Sequence, residues 1–262
     1  MSARMSDGKT PTRTVSPSVC ARSTRIRSLN TMQNPDIIQD QIAYYRARAN
    51  EYDEWFYRQG RFDHGEEFNN KWFAQVAEVA RALDAFAPVG DVLELACGTG
   101  LWTERLLPHA TTLTALDAAP EVLALNKERV KDDSIRYLQT DLFAWEPDHR
   151  YDVVYFSFWL SHVPPERFAP FWDLVRRCLK PDGRAFFVDS LYEPTTTANN
   201  HQLLGVDSTI QDRKLNDGRT YRIVKVYHEP ESLAAQLVDL GWKTAIDRSE
   251  NYFIYGNTQI EA

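Results

Sequence analysis

Val92-Leu93-Glu94-Leu95-Ala96-Cys97-Gly98-Thr99-Gly100 is the stretch on which the reading of the fold turns. The short apolar run reads as a buried strand, the paired glycines as a sharp turn, and the residues from about Leu101 onward as helix. Gly98 and Gly100 carry no Cβ, so the backbone can take positive φ and a ligand can touch the main chain, while the helix N-terminus beyond offers free N–H groups. A dinucleotide and an adenosyl group suit such a turn equally well. Two neighbours separate them. Glu94 lies within the strand, aimed at the turn, where a dinucleotide site has little use for an acid. The third glycine of the dinucleotide fingerprint would fall at position 103, which is Thr103.

Working outward, short apolar runs alternate with helical stretches. Strands are expected at Val92–Ala96, Leu113–Leu116, Ile135–Leu138, Val153–Phe158 and Arg184–Val188, with helices at about 101–107, 120–130 and 165–179, the last closed by Lys180-Pro181-Asp182-Gly183. That alternation predicts an α/β fold, a parallel sheet wrapped by helices. Residues 191–229 break the rhythm: a polar loop from Glu193 to Asn200 precedes a predicted hairpin with Asn216-Asp217-Gly218 at its turn and Thr220–Tyr227 as its second strand. A helix from Glu231 to Leu240 and a strand around Tyr252–Tyr255 complete the pattern.

Residues 32–88 read as a helical lid preceding the main domain of residues 89–262. From Asp36 to about Ala87 the pattern is helical and aromatic. Tyr45, Tyr52 and Trp55 or Phe56 recur at spacings that stack them on one helix face, and Phe68, Trp72, Phe73, Val76 and Val79 continue on a second helix. Core packing and a ligand-covering lid are both open readings of those aromatics.

Composition narrows the classes. Of 262 residues, 43% are apolar, enough for one buried core without metals or disulfides. Cys20, Cys97 and Cys178 stand far apart and form no metal-ligand cluster, so no metal site is expected and a reducing, cytoplasmic setting fits. No apolar run approaches the roughly 20 residues that span a bilayer. Six basic residues and one acid give residues 1–31 a net charge of +5, so a chain of net −7 leaves −12 on the rest. So acidic a body repels phosphate backbones, and no nucleic-acid partner is expected. Residues 1–31 are polar, basic and without hydrophobic period, and disorder is expected there. A translation start at Met32, a flexible tail and a transit-like peptide all fit that composition.

The acids at the strand ends carry the next step. Asp117 follows Leu113–Leu116, nineteen residues after Gly98, where a carboxylate reaches the ribose hydroxyls of a nucleoside across the sheet edge. Asp141, after Ile135–Leu138, can accept from an exocyclic amine such as adenine N6. Helix capping and loop capping are the alternatives for each acid alone. Together with Glu94 they end three successive strands on one sheet edge.

In order and spacing, ELACGTG, ALDAAPEVL, QTDLF and YDVVYFSFWLSHVP resemble the motifs of class I S-adenosylmethionine-dependent methyltransferases over about residues 90–190. Tyr44-Tyr45-Arg46-Ala47-Arg48-Ala49-Asn50-Glu51-Tyr52-Asp53 is similar to the N-terminal helix of small-molecule members, whose tyrosine helps to cover the cofactor. The resemblance implies a Rossmann-like three-layer sandwich: a seven-stranded, mostly parallel sheet with an N-terminal helical lid and a β-hairpin insertion. It implies S-adenosyl-L-methionine as cofactor, lined by Tyr45, Cys97, Gly98, Thr99, Gly100, Asp117, Ala118, Asp141 and Leu142, with Phe156 or Ser157 beside the sulfonium and Glu94 acting indirectly.

The acceptor is expected to be a small molecule, O- or N-methylated, because the lid and the 191–229 insertion would enclose it. Methyl transfer from a sulfonium needs mainly alignment, and His162 is the best-placed candidate base, with His64 a second. A histidine packed beneath its loop is the plain alternative for His162. Arg213, Lys214, Arg219, Arg222 and Lys225 on the hairpin suit either an anionic acceptor or ordinary solvation. The rival classes are an RNA- or protein-directed methyltransferase, a non-catalytic cofactor-binding protein, and an NAD-dependent oxidoreductase.

Overall fold

The computed structural model describes residues 35–261, so the readings of residues 1–31 lie outside the described residues. In chain order the elements are α1 (Pro35–Arg48), α2 (Tyr52–Phe56), α3 (Glu66–Phe86), β1 (Gly90–Leu95), α4 (Thr103–Leu106), β2 (Ala110–Asp117), α5 (Pro120–Val130), β3 (Arg136–Gln139) and β4 (Tyr151–Ser157). There follow α6 (Phe168–Cys178), β5 (Leu179–Ser190), β6 (Ile210–Lys214), β7 (Thr220–Val224), α7 (Pro230–Asp239), β8 (Trp242–Arg248) and β9 (Phe253–Ile260). The Lys180–Gly183 segment lies within β5, where the pairing steps from Tyr151–Leu179 to Val153–Arg184.

Seven strands form one sheet in the order β3-β2-β1-β4-β5-β9-β8, and β9 alone runs antiparallel to its neighbours. This is the expected Rossmann-like sheet. Its seventh strand, β8, has no counterpart among the predicted runs: it is an outer strand whose Lys243, Asp247 and Arg248 face solvent. From β1 the chain winds outward to β2 and β3, then crosses back to β4 on the other side of β1. The order reverses between β1 and β4, and ligands of open α/β sheets bind in the crevice at the carboxyl ends of such strands.

Side chains alternate between two apolar layers. Leu93, Leu95, Val154, Phe156, Ala185 and Phe187 pack toward α6 and α7, whereas Val92, Val153, Tyr155, Phe186 and Val188 join the layer of α3 and α4. Each fully buried large side chain of this kind contributes about 1.5–3 kcal/mol. Along α3, Trp72, Val79, Leu83 and Phe86 recur every three to seven residues on the buried face. Phe68 and Phe73, expected on that face, are exposed instead.

The lid is not one helix. A 3-10 turn at Ala49–Glu51 separates α1 from α2, yet the aromatic stack survives the break: ring centroids lie 6.4 Å apart for Tyr45–Tyr52 and 6.3 Å for Tyr52–Trp55. The hairpin turns at the predicted Asn-Asp-Gly, with Gly218 at φ +92°, and forms a separate two-stranded sheet, its second strand ending at Val224. It packs on α1. Val224 N donates to Gln41 Oε1 at 3.1 Å, and Leu215 and Ile223 bury Tyr44.

Candidate functional site

Two chambers open at the carboxyl end of the sheet. The first, about 750 Å³, is lined by Ala96 and Gly98 after β1, Asp117 to Ala119 after β2, Thr140 to Phe143 after β3, Ser157 to Trp159 after β4, and Ile38, Gln41, Ile42, Tyr45 and Tyr52 from the lid. Its largely apolar walls, with a few polar groups among them, suit a nucleoside. The second, about 580 Å³, lies beneath the lid and the hairpin. Tyr45, Tyr52, Phe158 and His162 line both and form the boundary they share.

The glycine turn divides its labour. Gly98, at φ +54°, borders the first chamber, and nothing stands within 4 Å of where its Cβ would be, so the space above the backbone is open to a ligand. Gly100, at φ +92°, instead lets α5 come close: a Cβ there would meet the Asn126 side chain at 2.8 Å. Two non-glycine residues also take positive φ at the chamber rim, Ala96 (φ 51°) and Phe158 (φ 51°), each just after a central strand. Such strained positions collect at functional sites, and the sequence gives no sign of them.

Asp117 stands at the chamber wall. Its Oδ2 accepts from Gly98 N at 3.0 Å and its Oδ1 from Ala119 N at 2.9 Å, which fixes the carboxylate while burial pushes its pKa up. The capping alternative is only half met, because Ala119, the residue before α5, has no side-chain cap. Asp141 also lines the chamber, with Oδ1 accepting from Phe143 N at 2.9 Å. Ala118, Leu142 and Ser157 line it as expected, and Trp159 adds a buried Nε1–H without a partner among the described residues.

Glu94, Cys97, Thr99, Gly100 and Phe156 do not reach either chamber. Phe156 faces the opposite layer, edge-on to Phe171 at 5.2 Å; the chamber residue is Phe158, two positions on, where the left-handed turn reverses the alternation. Thr99 Oγ1 donates to Asp53 Oδ1 at 2.6 Å, and Arg129 pairs with the same carboxylate, so α2 is clipped to the glycine turn.

Glu94 lies under the turn. Thr103 Oγ1 donates to its Oε2 at 2.6 Å, Asn126 Nδ2 donates to Thr103 Oγ1 at 2.8 Å and to Gly98 O at 3.2 Å, and Tyr137 Oη donates to Asn126 Oδ1 at 2.9 Å. Thr103, which stands where the dinucleotide fingerprint has glycine, is thus the link that lets Glu94 prop the turn from below. Burial pushes the Glu94 carboxyl up to about 8, far above its ordinary 4.5. A raised folded-state pKa contributes stability below the unfolded value that is lost as pH rises through about 8. Glu94→Gln, isosteric with the protonated acid, is therefore expected to flatten this loss and to exceed the wild type in stability above that pH by on the order of a few kcal/mol. Melting curves from pH 5 to 9 check it; parallel pH profiles would place the loss elsewhere.

His162, in the 3-10 turn Leu160–His162, is 6% exposed. Its Nδ1 lies 2.7 Å from the Val224 carbonyl, which can only accept, so Nδ1 carries the proton and Nε2 accepts from Tyr45 Oη at 2.7 Å. Burial, helped by Lys225, pushes its pKa down to about 3. The ring is neutral and its one lone pair is engaged. His64 lines neither chamber and contacts Thr197 O at 2.9 Å.

The second chamber is basic. Its lining holds Arg48, Arg213 and Lys225 and no carboxylate among the described residues. Arg48 is buried against aromatic rings, 4.9 Å from the Tyr52 centroid and 5.6 Å from that of Tyr44, and its Nε has no partner. Arg213 donates to its own neighbour's carbonyl, Asp212 O, at 3.3 Å. His201, pushed down to about 4 by burial, leaves a buried Nδ1 unpartnered. Of the five basic hairpin residues, Arg213 and Lys225 face inward; Lys214, Arg219 and Arg222 are exposed, the last two beside Asp217 and Asp40. Arg48 went unread in the sequence because a cation on a lid helix looks like an ordinary solvated one.

Among the described residues no group of three His, Cys, Asp or Glu could hold a metal, and no helix is long and apolar enough to cross a membrane.

Comparison with known proteins follows the same lines. A family model described as a methyltransferase domain matches residues 92–183. The DhpI-SAH complex structure is 36% identical, covers 86% of this chain and 97% of its own, and superposes with a TM-score of 0.71. Nodulation protein S of Rhizobium tropici is 26% identical over 170 residues, 63% of this chain. The ubiquinone biosynthesis O-methyltransferase of Escherichia coli (strain SMS-3-5 / SECEC) is 28% identical over 165 residues, 60% of this chain. The match spans 64% of each of these two curated relatives.

Proposed function

The chain belongs to the class I S-adenosylmethionine-dependent methyltransferases, and on that premise we propose that it methylates a small anionic acceptor held in the basic second chamber. The carrying observation is that Tyr45, Tyr52, Phe158 and His162 line both chambers, and we read their shared boundary as the aperture through which the methyl group passes. The residues of the first chamber fit the cofactor: Gly98 leaves room above the backbone where the methionine part would lie, Asp117 would hold the ribose hydroxyls, and Asp141 with the Leu142 amide and the apolar Phe143–Trp159 pair would receive adenine. S-adenosylmethionine supplies an activated methyl group on a sulfonium, so the protein's contribution is alignment and exclusion of water.

The acceptor class rests on charge. Burying three cations with Asp189, 3.5 Å from Lys225, as the one carboxylate paired with them is costly, and a compact oxyanion, carboxylate or phosphoryl, would satisfy the guanidinium donors and offset that cost. An oxyanion also needs no proton removed. That matches a His162 that is neutral, with its lone pair occupied by Tyr45, and His162 is read as a wall of the aperture rather than a base. Enclosure by lid and hairpin disfavours a polymeric acceptor. The Escherichia coli relative is named an O-methyltransferase, which agrees with transfer to oxygen.

Titration calorimetry with S-adenosylmethionine, S-adenosylhomocysteine and NAD⁺ tests the first half of this reading. Binding of both adenosyl ligands and none of NAD⁺ is expected; NAD⁺ binding alone would overturn it. An acceptor screen of small carboxylates and phosphoryl compounds against neutral alcohols and amines tests the second half, with turnover expected among the anions.

A further inference from the structure

We propose that Asp189 is a positioning residue for methyl transfer, fixing the aperture and the acceptor-facing Lys225 together from the end of β5. The inference rests on the anionic-acceptor reading above. Asp189 is 1% exposed and touches neither chamber, yet its two carboxylate oxygens reach both walls between them. Oδ2 accepts from Ser161 N at 2.8 Å, which holds the 3-10 turn bearing His162 at the aperture. Oδ1 accepts from Ser190 N at 2.7 Å and lies 3.5 Å from Lys225 Nζ. The same turn is held from the other side, where Val226 N donates to Ser161 O at 2.7 Å.

Lys225 Nζ donates to Ser161 Oγ at 2.8 Å, and its side chain is 8% exposed. Asp189 keeps two backbone donors whether or not Lys225 points at it, so the ammonium can turn a proton toward an anion in the chamber without orphaning the carboxylate. The groups around Lys225 otherwise oppose its charge. Burial lowers its pKa, Arg213 on β6 and Arg48 on α1 lower it further, and Asp189 alone among the contributing groups raises it. His162 and His201, pushed down to about 3 and about 4, stay neutral, Tyr227 beside it is pushed up by burial, and His228 is held below its ordinary value. With its pKa lowered while that of Arg48 is raised, Lys225 gives up its charge at lower pH than Arg48 does.

The sign follows. An anion is bound below the Lys225 pKa and released as pH rises through it. Replacing Asp189 by Asn removes the supporting charge at 3.5 Å and moves that release to lower pH. The probe is sulfate, whose charge is constant between pH 6 and 10, titrated into the full-length protein saturated with S-adenosylhomocysteine. In Asp189→Asn the alkaline loss of sulfate affinity is expected to begin on the order of one pH unit earlier than in the wild type. Lys225→Met should bind sulfate more weakly at pH 7 and show no alkaline loss. S-adenosylhomocysteine affinity should stay within about twofold in Lys225→Met, since Lys225 lines the second chamber and not the first. An alkaline limb unmoved in Asp189→Asn overturns the inference and leaves the anionic reading standing. A wild type that binds no sulfate removes that reading and the inference with it.

Discussion

Asp117→Ala is expected to weaken S-adenosylhomocysteine binding by on the order of 1.5–3 kcal/mol, roughly 10- to 150-fold in Kd. The magnitude follows from what the carboxylate does in the folded chain. It is half-buried and already fixed by the Gly98 and Ala119 amides, so it would meet ribose hydroxyls without first losing side-chain freedom, through charge-assisted bonds. Removing it also frees Gly98 N at the turn that borders the first chamber. Asp117→Asn keeps the shape with one acceptor oxygen, so a smaller loss is expected. Calorimetry at pH 7.5 is the measurement. Affinity within about twofold of wild type would send the ribose to another residue of the chamber.

How far these positions were legible differs residue by residue, and the difference has a physical pattern. Strand ends that follow a clear apolar run were readable: Gly98, Asp117, Asp141, Leu142 and Ser157 all line the first chamber because a β-strand delivers its last residue to the sheet edge whatever lies around it. Residues one step inside the strand were not. Phe156 belongs to the correct strand, but alternation alone does not say which face meets which helix, and the left-handed conformation of Phe158 shifts the chamber residue two places; Glu94, expected to act indirectly, lies under the turn. β8 escaped because an outer strand exposes its polar side chains and offers no apolar run. The second chamber was the least legible part. It depends on α1 packing against β7, a pairing of residues such as Gln41 and Val224 more than 180 positions apart, which nothing local encodes. The inward turn of Arg213 and Lys225, and the outward turn of Lys214, Arg219 and Arg222, depend on that docking.

Arg48→Met is expected to have two opposite effects, and their opposition is what identifies the second chamber. In the ligand-free protein Arg48 is a buried guanidinium with an unpartnered Nε, and the Tyr52 and Tyr44 rings offset only part of its desolvation. Methionine keeps the apolar stem and removes the uncompensated charge, so thermal stability without ligand should rise, by about 1 kcal/mol. The same change deletes a donor fork lining the second chamber, which on the anionic-acceptor proposal should cost about 2–4 kcal/mol and raise the acceptor KM roughly 30- to 1,000-fold. Cofactor affinity should hold, because Arg48 lies beyond the aperture from the first chamber. Arg48→Lys is not an equivalent control, since a point charge does not reproduce the planar fork, and it should recover only part of the KM. Lower stability with unchanged KM would make Arg48 a structural member of the aromatic cage and leave the chamber without its anion. A stabler enzyme that no longer holds its acceptor would mean that the chain keeps a destabilising charge because the acceptor neutralises it.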